Sequence, residues 1–466
     1  MADTQVSAGE RAKRLVLVVA ILASFVSFLD GSIVNVALPS IADELGGGLA
    51  VQQWVVDAYM LTLGALILLA GSLSDAFGRG RVLAAGLVWF GVTSLLCAIA
   101  PTATLLIIAR ALQGVAAALL VPSSLAIIMS TFPSKEQGGA IGRWTAWTGT
   151  AMIIGPLLGG GLVDAVSWRL IFAINVVPIV VTLWLMRRMP AQPRPAGGAH
   201  VDILGAVLGA VGLGGLVFAL IEQERFGWTS LVVLVPLVVG VAASALFIVW
   251  QARARSPMLP LTLFRARNFS VGNVATVFVY GALSFGLFIM VIYLQQAAGF
   301  PATLAGLATM PPTLVMLALS GRIGAWSSRI GPRLFMGVGP IVAGIGFALT
   351  VTVQPAINYW LQLLPGLLLF GLGLSITVAP LTSAILGAIS TERSGIASAV
   401  NNAVSRVAGL VTVACAGLII GGSVDLDGFR RGMIVTAAML IVGGIVSLIG
   451  ITNRDVVETP IDQTAS

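Results

Sequence analysis

Apolar stretches of about 20 residues recur from one end of the chain to the other, separated by short segments rich in glycine, proline and arginine. A helix rising 1.5 Å per residue needs roughly 20 such residues to cross about 30 Å of hydrocarbon. The pattern predicts fourteen spans, near 15–37, 52–72, 82–100, 103–129, 138–163, 169–187, 203–222, 230–251, 270–294, 302–326, 333–353, 360–388, 395–422 and 430–451. Glycine and proline interrupt the 360–388 and 395–422 segments, whose ends are the hardest to place. The first run is not read as a cleaved signal peptide. It is long, lacks a small-residue cleavage site and carries an acid where such a peptide is uniformly apolar.

Basic residues give the spans a direction. With the N-terminus placed in the cytoplasm, the inner segments collect Arg79 and Arg81, Arg187 and Arg188, and Arg322, Arg329 and Arg333, among others. The outer segments hold only Arg169, Arg225, Arg430 and Arg431. An even number of spans with both termini cytoplasmic satisfies this alternation. The expected organisation is a cytoplasmic N-terminus (1–14), a six-helix bundle (15–187), a linker (188–269) carrying two extra spans near 203–222 and 230–251, a second six-helix bundle (270–451) and a cytoplasmic tail (452–466). The halves echo each other: GSLSDAFGRGR from Gly71 follows the second span, and GAWSSRIGPR from Gly324 follows the tenth. Repeated halves with a site between them are a transporter architecture.

Composition agrees. Of 466 residues, 58% are hydrophobic and 9% charged, against roughly 25% charged in soluble domains. The net charge of +7 is an orientation signal in loops, so nucleic acid is not an expected partner. Cys97 and Cys415 fall in apolar runs and suggest neither a disulfide nor a metal site. The single histidine, His200, lies in a Pro/Gly-rich loop and reads as solvated. The only lysines, Lys13 and Lys135, are followed by Arg14 and Glu136, so no phosphate-binding Gly-Lys-Ser/Thr loop exists. An ATP-driven pump is excluded. No cluster of acids and histidine at membrane depth suggests an enzyme, and no cofactor is expected beyond a proton gradient.

Asp30 is the only charged side chain between Leu15 and Ala37. A carboxylate at that depth costs about 2.5–3.5 kcal/mol on insertion scales, so a use for it is expected. Arg110 lies seven residues inside span four, and Asp30 eight residues back from the exit of span one. These are depths of roughly 10 and 12 Å, and each group is the other's most plausible partner. A static pair that only fixes packing is the alternative. Burial raises and Arg110 lowers the proton affinity of such an acid, which makes the pair a candidate proton-coupling switch.

Several motifs carry a family resemblance. Gly71-Ser-Leu-Ser-Asp75-Ala-Phe-Gly78-Arg79-Gly-Arg81 resembles the cytoplasmic signature of the major facilitator superfamily, with Ala76 where a basic residue is common. Arg110-Ala-Leu-Gln113-Gly114 resembles the superfamily's span-four motif. Gly155-Pro156-Leu-Leu-Gly159-Gly160 resembles the span-five motif of its antiporter branch, and the proline and glycines read as a kink and a close helix contact. Leu29-Asp30-Gly-Ser-Ile-Val-Asn35-Val-Ala-Leu38-Pro39, together with Trp168-Arg169-Leu-Ile-Phe172-Ala-Ile-Asn175, resembles the fourteen-span drug:proton antiporter family. So do Asn402-Ala-Val-Ser-Arg406 and segments near Phe264 and Tyr293.

The resemblance implies an all-α membrane protein of the major facilitator fold, with two pseudo-symmetric six-helix bundles and two inserted helices. It implies a monomeric, multi-pass protein of the cytoplasmic membrane that exports lipophilic, often cationic compounds in exchange for protons. Export or flipping of a lipid or metabolite by the same fold is the alternative. Gly71, Asp75, Gly78, Arg79, Arg81, Gly155, Pro156, Gly159 and Gly160 are the expected gating residues. Asp57, read as a half-solvated acid near the end of span two, and Glu222 are secondary proton or cation candidates. Asn35, Gln113, Trp144, Trp147, Tyr280, Tyr293, Asn402 and Arg406 are candidates for the substrate cavity.

Overall fold

The computed structural model describes residues 2–189, 201–390 and 393–453. Within the expected linker and tail, 190–200 with His200 and 454–466 lie outside the described residues. The described residues form helices and no strands. Thirteen helices are long and apolar enough to cross a membrane. In chain order they are α1 (Glu10–Leu45), α2 (Gly48–Phe77), α3 (Arg79–Ala98), α4 (Ala103–Thr131), α5 (Glu136–Ala165), α7 (Ile203–Phe226), α8 (Leu231–Arg253), α9 (Arg267–Gln296), α10 (Ala302–Ile330), α11 (Pro332–Thr352), α12 (Tyr359–Gly387), α13 (Ser394–Ala414) and α14 (Leu426–Gly450). The expected sixth span is a shorter apolar helix, α6 (Leu170–Met186). It is interrupted by a turn at Ile174 and Asn175, where a polar side chain enters the bundle.

Local chemistry sets the ends. Thr102, Ser230 and Asp425 cap α4, α8 and α14 by accepting from the backbone N–H of Leu105, Val232 and Gly428, satisfying donors that a first helical turn leaves open. The internal repeat is visible in the backbone. Gly78 and Gly331, at equivalent positions after α2 and α10, have φ of 96° and 99°, a region that disfavours a side chain.

Helices α1–α6 and α9–α14 make two bundles, with the α7–α8 hairpin between them in sequence. Gly215 and Gly240 let the hairpin's backbones touch. Asp202 ties its base, accepting from Gly205 N, Met258 N, Trp250 Nε1 and Gln251 Nε2. Burial pushes the Asp202 carboxyl up, but these donors outweigh it and hold it below the usual carboxylate value.

The end carrying Arg79, Arg81 and Arg143 is termed the basic end, and the opposite one the far end. At the far half a single apolar core runs through both bundles, joining Ile33, Leu38 and Phe172 to Phe285, Phe347 and Phe429. Toward the basic end it divides. One core holds Val19, Leu83, Leu87 and Ile127 of the first bundle. Another holds Phe269, Met336, Ile385 and Val400 of the second. The bundles thus share one core at the far end and have separate cores toward the basic end, where Leu68 of α2 and Ala403 of α13 still reach across to the opposite core.

Candidate functional site

Asp30 and Arg110 meet at the depth that the spacing predicts, and both are fully buried. Arg110 Nη1 donates to Asp30 Oδ2 at 2.5 Å and to Gln113 Oε1 at 2.6 Å. Arg110 Nε donates to the Val55 carbonyl oxygen at 3.0 Å. Asp30 Oδ1 accepts from Gln113 Nε2 at 3.0 Å and from Asn175 Nδ2 at 2.9 Å. Gln113 Nε2 also reaches Ser94 Oγ at 2.8 Å. The guanidinium lies 4.3 Å from the Tyr59 ring centroid, a geometry in which the ring face attracts a cation. Tyr59 in turn hydrogen-bonds Ser27 at 2.9 Å. Five helices, α1, α2, α3, α4 and α6, thus join in one network around this carboxylate. Gln113, expected on the cavity wall, belongs to this closed network. Asn175, Ser94 and Tyr59 are members that the sequence did not single out for it.

Asp57 differs from its reading as half-solvated. It is fully buried, and among the described residues neither carboxyl oxygen has a hydrogen-bond partner. It lies on the stripe of α2 that faces α13, between Gln53, whose Nε2 donates to the Val413 and Ala414 carbonyls, and Gly64, where an added Cβ would lie 3.7 Å from the Arg406 Cβ. The interior of the α2–α13 packing, roofed by α7 near Trp54, closes the far end of α2 to water. Glu222 of α7 accepts from Trp54 Nε1 at 2.8 Å, so the inserted helix is fastened to the first bundle.

The glycines of α5 seal the far half. A Cβ on Gly155 would collide with Ser32, and one on Gly159 would sit 2.6 Å from Ile33, so both are needed for α5 to lie on α1. A Cβ on Gly160 would lie 2.5 Å from the Thr303 backbone. Across the same contact, Gly306 faces the Pro156 carbonyl. Asp164 accepts from the Ala302 and Thr303 amides at 3.0 and 2.8 Å. On the other side Gln295 Nε2 of α9 donates to the Val36 carbonyl of α1 at 3.0 Å. Toward the basic end α5 and α10 share no extended packing, and Cβ atoms on Gly138, Gly142 and Gly149 would meet nothing.

At the basic end Arg79 pairs with Asp75 at 3.1 Å and donates to the Ala126 carbonyl of α4 at 3.0 Å. Arg81 is exposed, and a Cβ on Gly71 would meet nothing. Among the expected cavity residues, Trp144 is buried and donates to Ser24 Oγ, while Trp147 is 61% exposed. Tyr293 stacks on Phe429 at 4.2 Å in the far core. Tyr280 is half-buried where the far and basic cores of the second bundle meet. Asn35 donates only to the Gly31 carbonyl of its own helix. Asn402 accepts from Arg406 Nε at 2.8 Å.

A transporter of two pseudo-symmetric bundles, closed at one end, is the class that this geometry defines. The family model of the Major Facilitator Superfamily matches residues 20–412 and 272–463, and the chain belongs to that superfamily. It is 33% identical over 407 residues to a methylenomycin A resistance protein of Bacillus subtilis (87% of each chain). It is 33% identical over 418 residues to the multidrug resistance protein Stp of Mycobacterium tuberculosis (88% of this chain, 76% of Stp). A third relative is the multidrug export protein EmrB of Haemophilus influenzae, 32% identical over 394 residues (84% and 77%). The resemblance to the fourteen-span drug-exporter family is borne out. Among solved structures, a peptide transporter POT in complex with sulfate has a TM-score of 0.69 at 16% identity, covering 94% of each chain. The inward open xylose transporter XylE of E. coli has 0.67 at 14% identity, covering 95% and 97%. These two share the fold. The protein is a multi-pass membrane transporter and not an enzyme.

Proposed function

We propose that the chain exports lipophilic small molecules, of the drug and antibiotic kind, across the cytoplasmic membrane in exchange for protons. The relatives' names support the cargo, since they include resistance proteins for methylenomycin A and puromycin. Proton exchange is supported above all by one observation: a fully buried carboxylate, Asp30, held by Arg110 in a network that ties α1 to α4.

In this reading the basic end is cytoplasmic, as the arginine distribution favours, and the space between the bundles opens inward. Asp30 accepts from three side-chain donors, Arg110, Gln113 and Asn175, and its contact with Arg110 is a buried ion pair. Protonation removes the charge that Arg110 requires and frees α1 from α4. Helix α1 also carries Ile33 and Val36, which pack on the α5 glycines, and the Val36 carbonyl held by Gln295. A loosened α1 therefore weakens the outer seal. Asp57 is a second carrier of another kind. An acid buried without a partner is tolerated as the neutral form, and its place on the α2–α13 seam lets it exchange a proton when that seam parts. One proton crossing 100 mV releases about 2.3 kcal/mol. The expectation of cationic cargo came from the family resemblance; Asp30, whose charge Arg110 already matches, is not a free counter-charge for it.

Inverted membrane vesicles with an acidified interior should take up methylenomycin A, and collapse of the pH difference should stop it. Uptake that persists at the same rate without the gradient would overturn proton exchange.

A further inference from the structure

Arg406 is the charge that the coupling scheme does not use. It lies twelve residues into α13, roughly 18 Å along the helix and so near mid-span. Its Nε donates to Asn402 Oδ1 at 2.8 Å. Among the described residues no carboxylate pairs with it, and its two terminal nitrogens have no hydrogen-bond partner. The side chain is partly exposed rather than sealed. A Cβ added to Gly64 of α2 would lie 3.7 Å from the Arg406 Cβ, and the arginine's charge acts on Tyr59, also of α2, so Arg406 sits on the α2–α13 seam where the two bundles face each other. A charge at this depth is costly and is normally paired.

The surroundings supply donors and no free acid. Asn402 has committed its oxygen to Arg406, which leaves its amide N–H groups available. Asn401 turns away to Asn273 and Thr276. On the facing bundle Asp30 is occupied by Arg110, Gln113 and Asn175, and Asp57 is enclosed and touches no donor. A cation entering from the basic end finds an unpaired arginine and no counter-charge. An anion finds a planar fork of donors of the kind that binds carboxylates in a bidentate way.

Resting on the export reading above, we infer that Arg406, assisted by Asn402, is the binding subsite for an acidic group on the exported compound. The cargo is then a lipophilic molecule carrying a carboxylate-type anion. Its apolar body lies along the bundle walls and its acid on α13.

The test uses the purified full-length protein and a matched pair of probes, pyrenebutyric acid and its methyl ester, with binding read by fluorescence above empty micelles. The wild type should bind the acid at least tenfold more tightly than the ester, equivalent to about 1.4 kcal/mol. Arg406→Gln should remove that preference and leave ester binding unchanged, which also shows that the variant is folded. Arg406→Lys should keep part of it, since the charge remains but the fork is lost. Equal affinities in the wild type, or a preference that survives Arg406→Gln, would overturn the subsite. Failure of the export reading looks different: the acid would bind preferentially yet never accumulate in vesicles given a pH gradient.

Discussion

Asp30 and Asp57 lie on successive helices, α1 and α2, and both are completely buried. Everything else about them differs. Asp30 has Arg110, Gln113 and Asn175 around it; Asp57 has no hydrogen-bond partner among the described residues. Depth in the membrane therefore does not decide what a buried acid does. The donors that the neighbouring helices deliver decide it. A surrounded acid couples helices through its charge, and an isolated one is suited to holding a proton. In the proposed cycle the first is the switch and the second a store.

The largest effect should come from stranding the surrounded acid. Arg110→Ala leaves a buried charge unpaired and should cost about 3–5 kcal/mol. Adding Asp30→Asn to it should restore much of that loss, because no charge is then stranded. Thermal unfolding of the two single variants and the double variant measures this coupling. Strictly additive losses would mean that the pair does not act as a unit.

Replacing each acid by leucine sharpens the contrast in sign. Asp30→Leu removes the counter-charge of Arg110 and one acceptor each from Gln113 and Asn175, and should destabilise by about 3 kcal/mol or more. Asp57→Leu removes an unsatisfied polar group and should stabilise by about 1–3 kcal/mol. Destabilisation of similar size at both positions would erase the distinction. The smallest effect should be at the third acid, Glu222, which has a single donor. Trp54→Phe removes that one bond and should lower stability by about 0.5–1.5 kcal/mol, read by the same unfolding experiment.

Much of this was legible in the chain. The lengths of apolar runs place most span ends to within five residues, because membrane thickness fixes them, but the first span runs on to Leu45 and the thirteenth stops short at Ala414. Counting depth from opposite ends of spans one and four pairs Asp30 with Arg110 without any structure. The rest needed the third dimension. Asn175 and Ser94 are ordinary polar residues in apolar spans, and nothing in their spacing says that they point at Asp30. Gln113 read as cavity wall because its helix face was unknown. Asp57 read as half-solvated because distance to a span end was the only measure available. Its burial comes from α7 and α13, more than a hundred residues away in sequence. The α5 glycines were expected to permit close contact, but only the packing shows two of them against α1 and the third, Gly160, against α10 of the other bundle.

The central claim is that Asp30 couples the proton to the opening of the outer seal. Methylenomycin A uptake into inverted vesicles, driven by an imposed pH difference, tests it most directly when wild type and Asp30→Asn are compared at equal folded amounts. The account predicts gradient-driven accumulation by the wild type and none by Asp30→Asn. Accumulation by Asp30→Asn at the wild-type rate would contradict it.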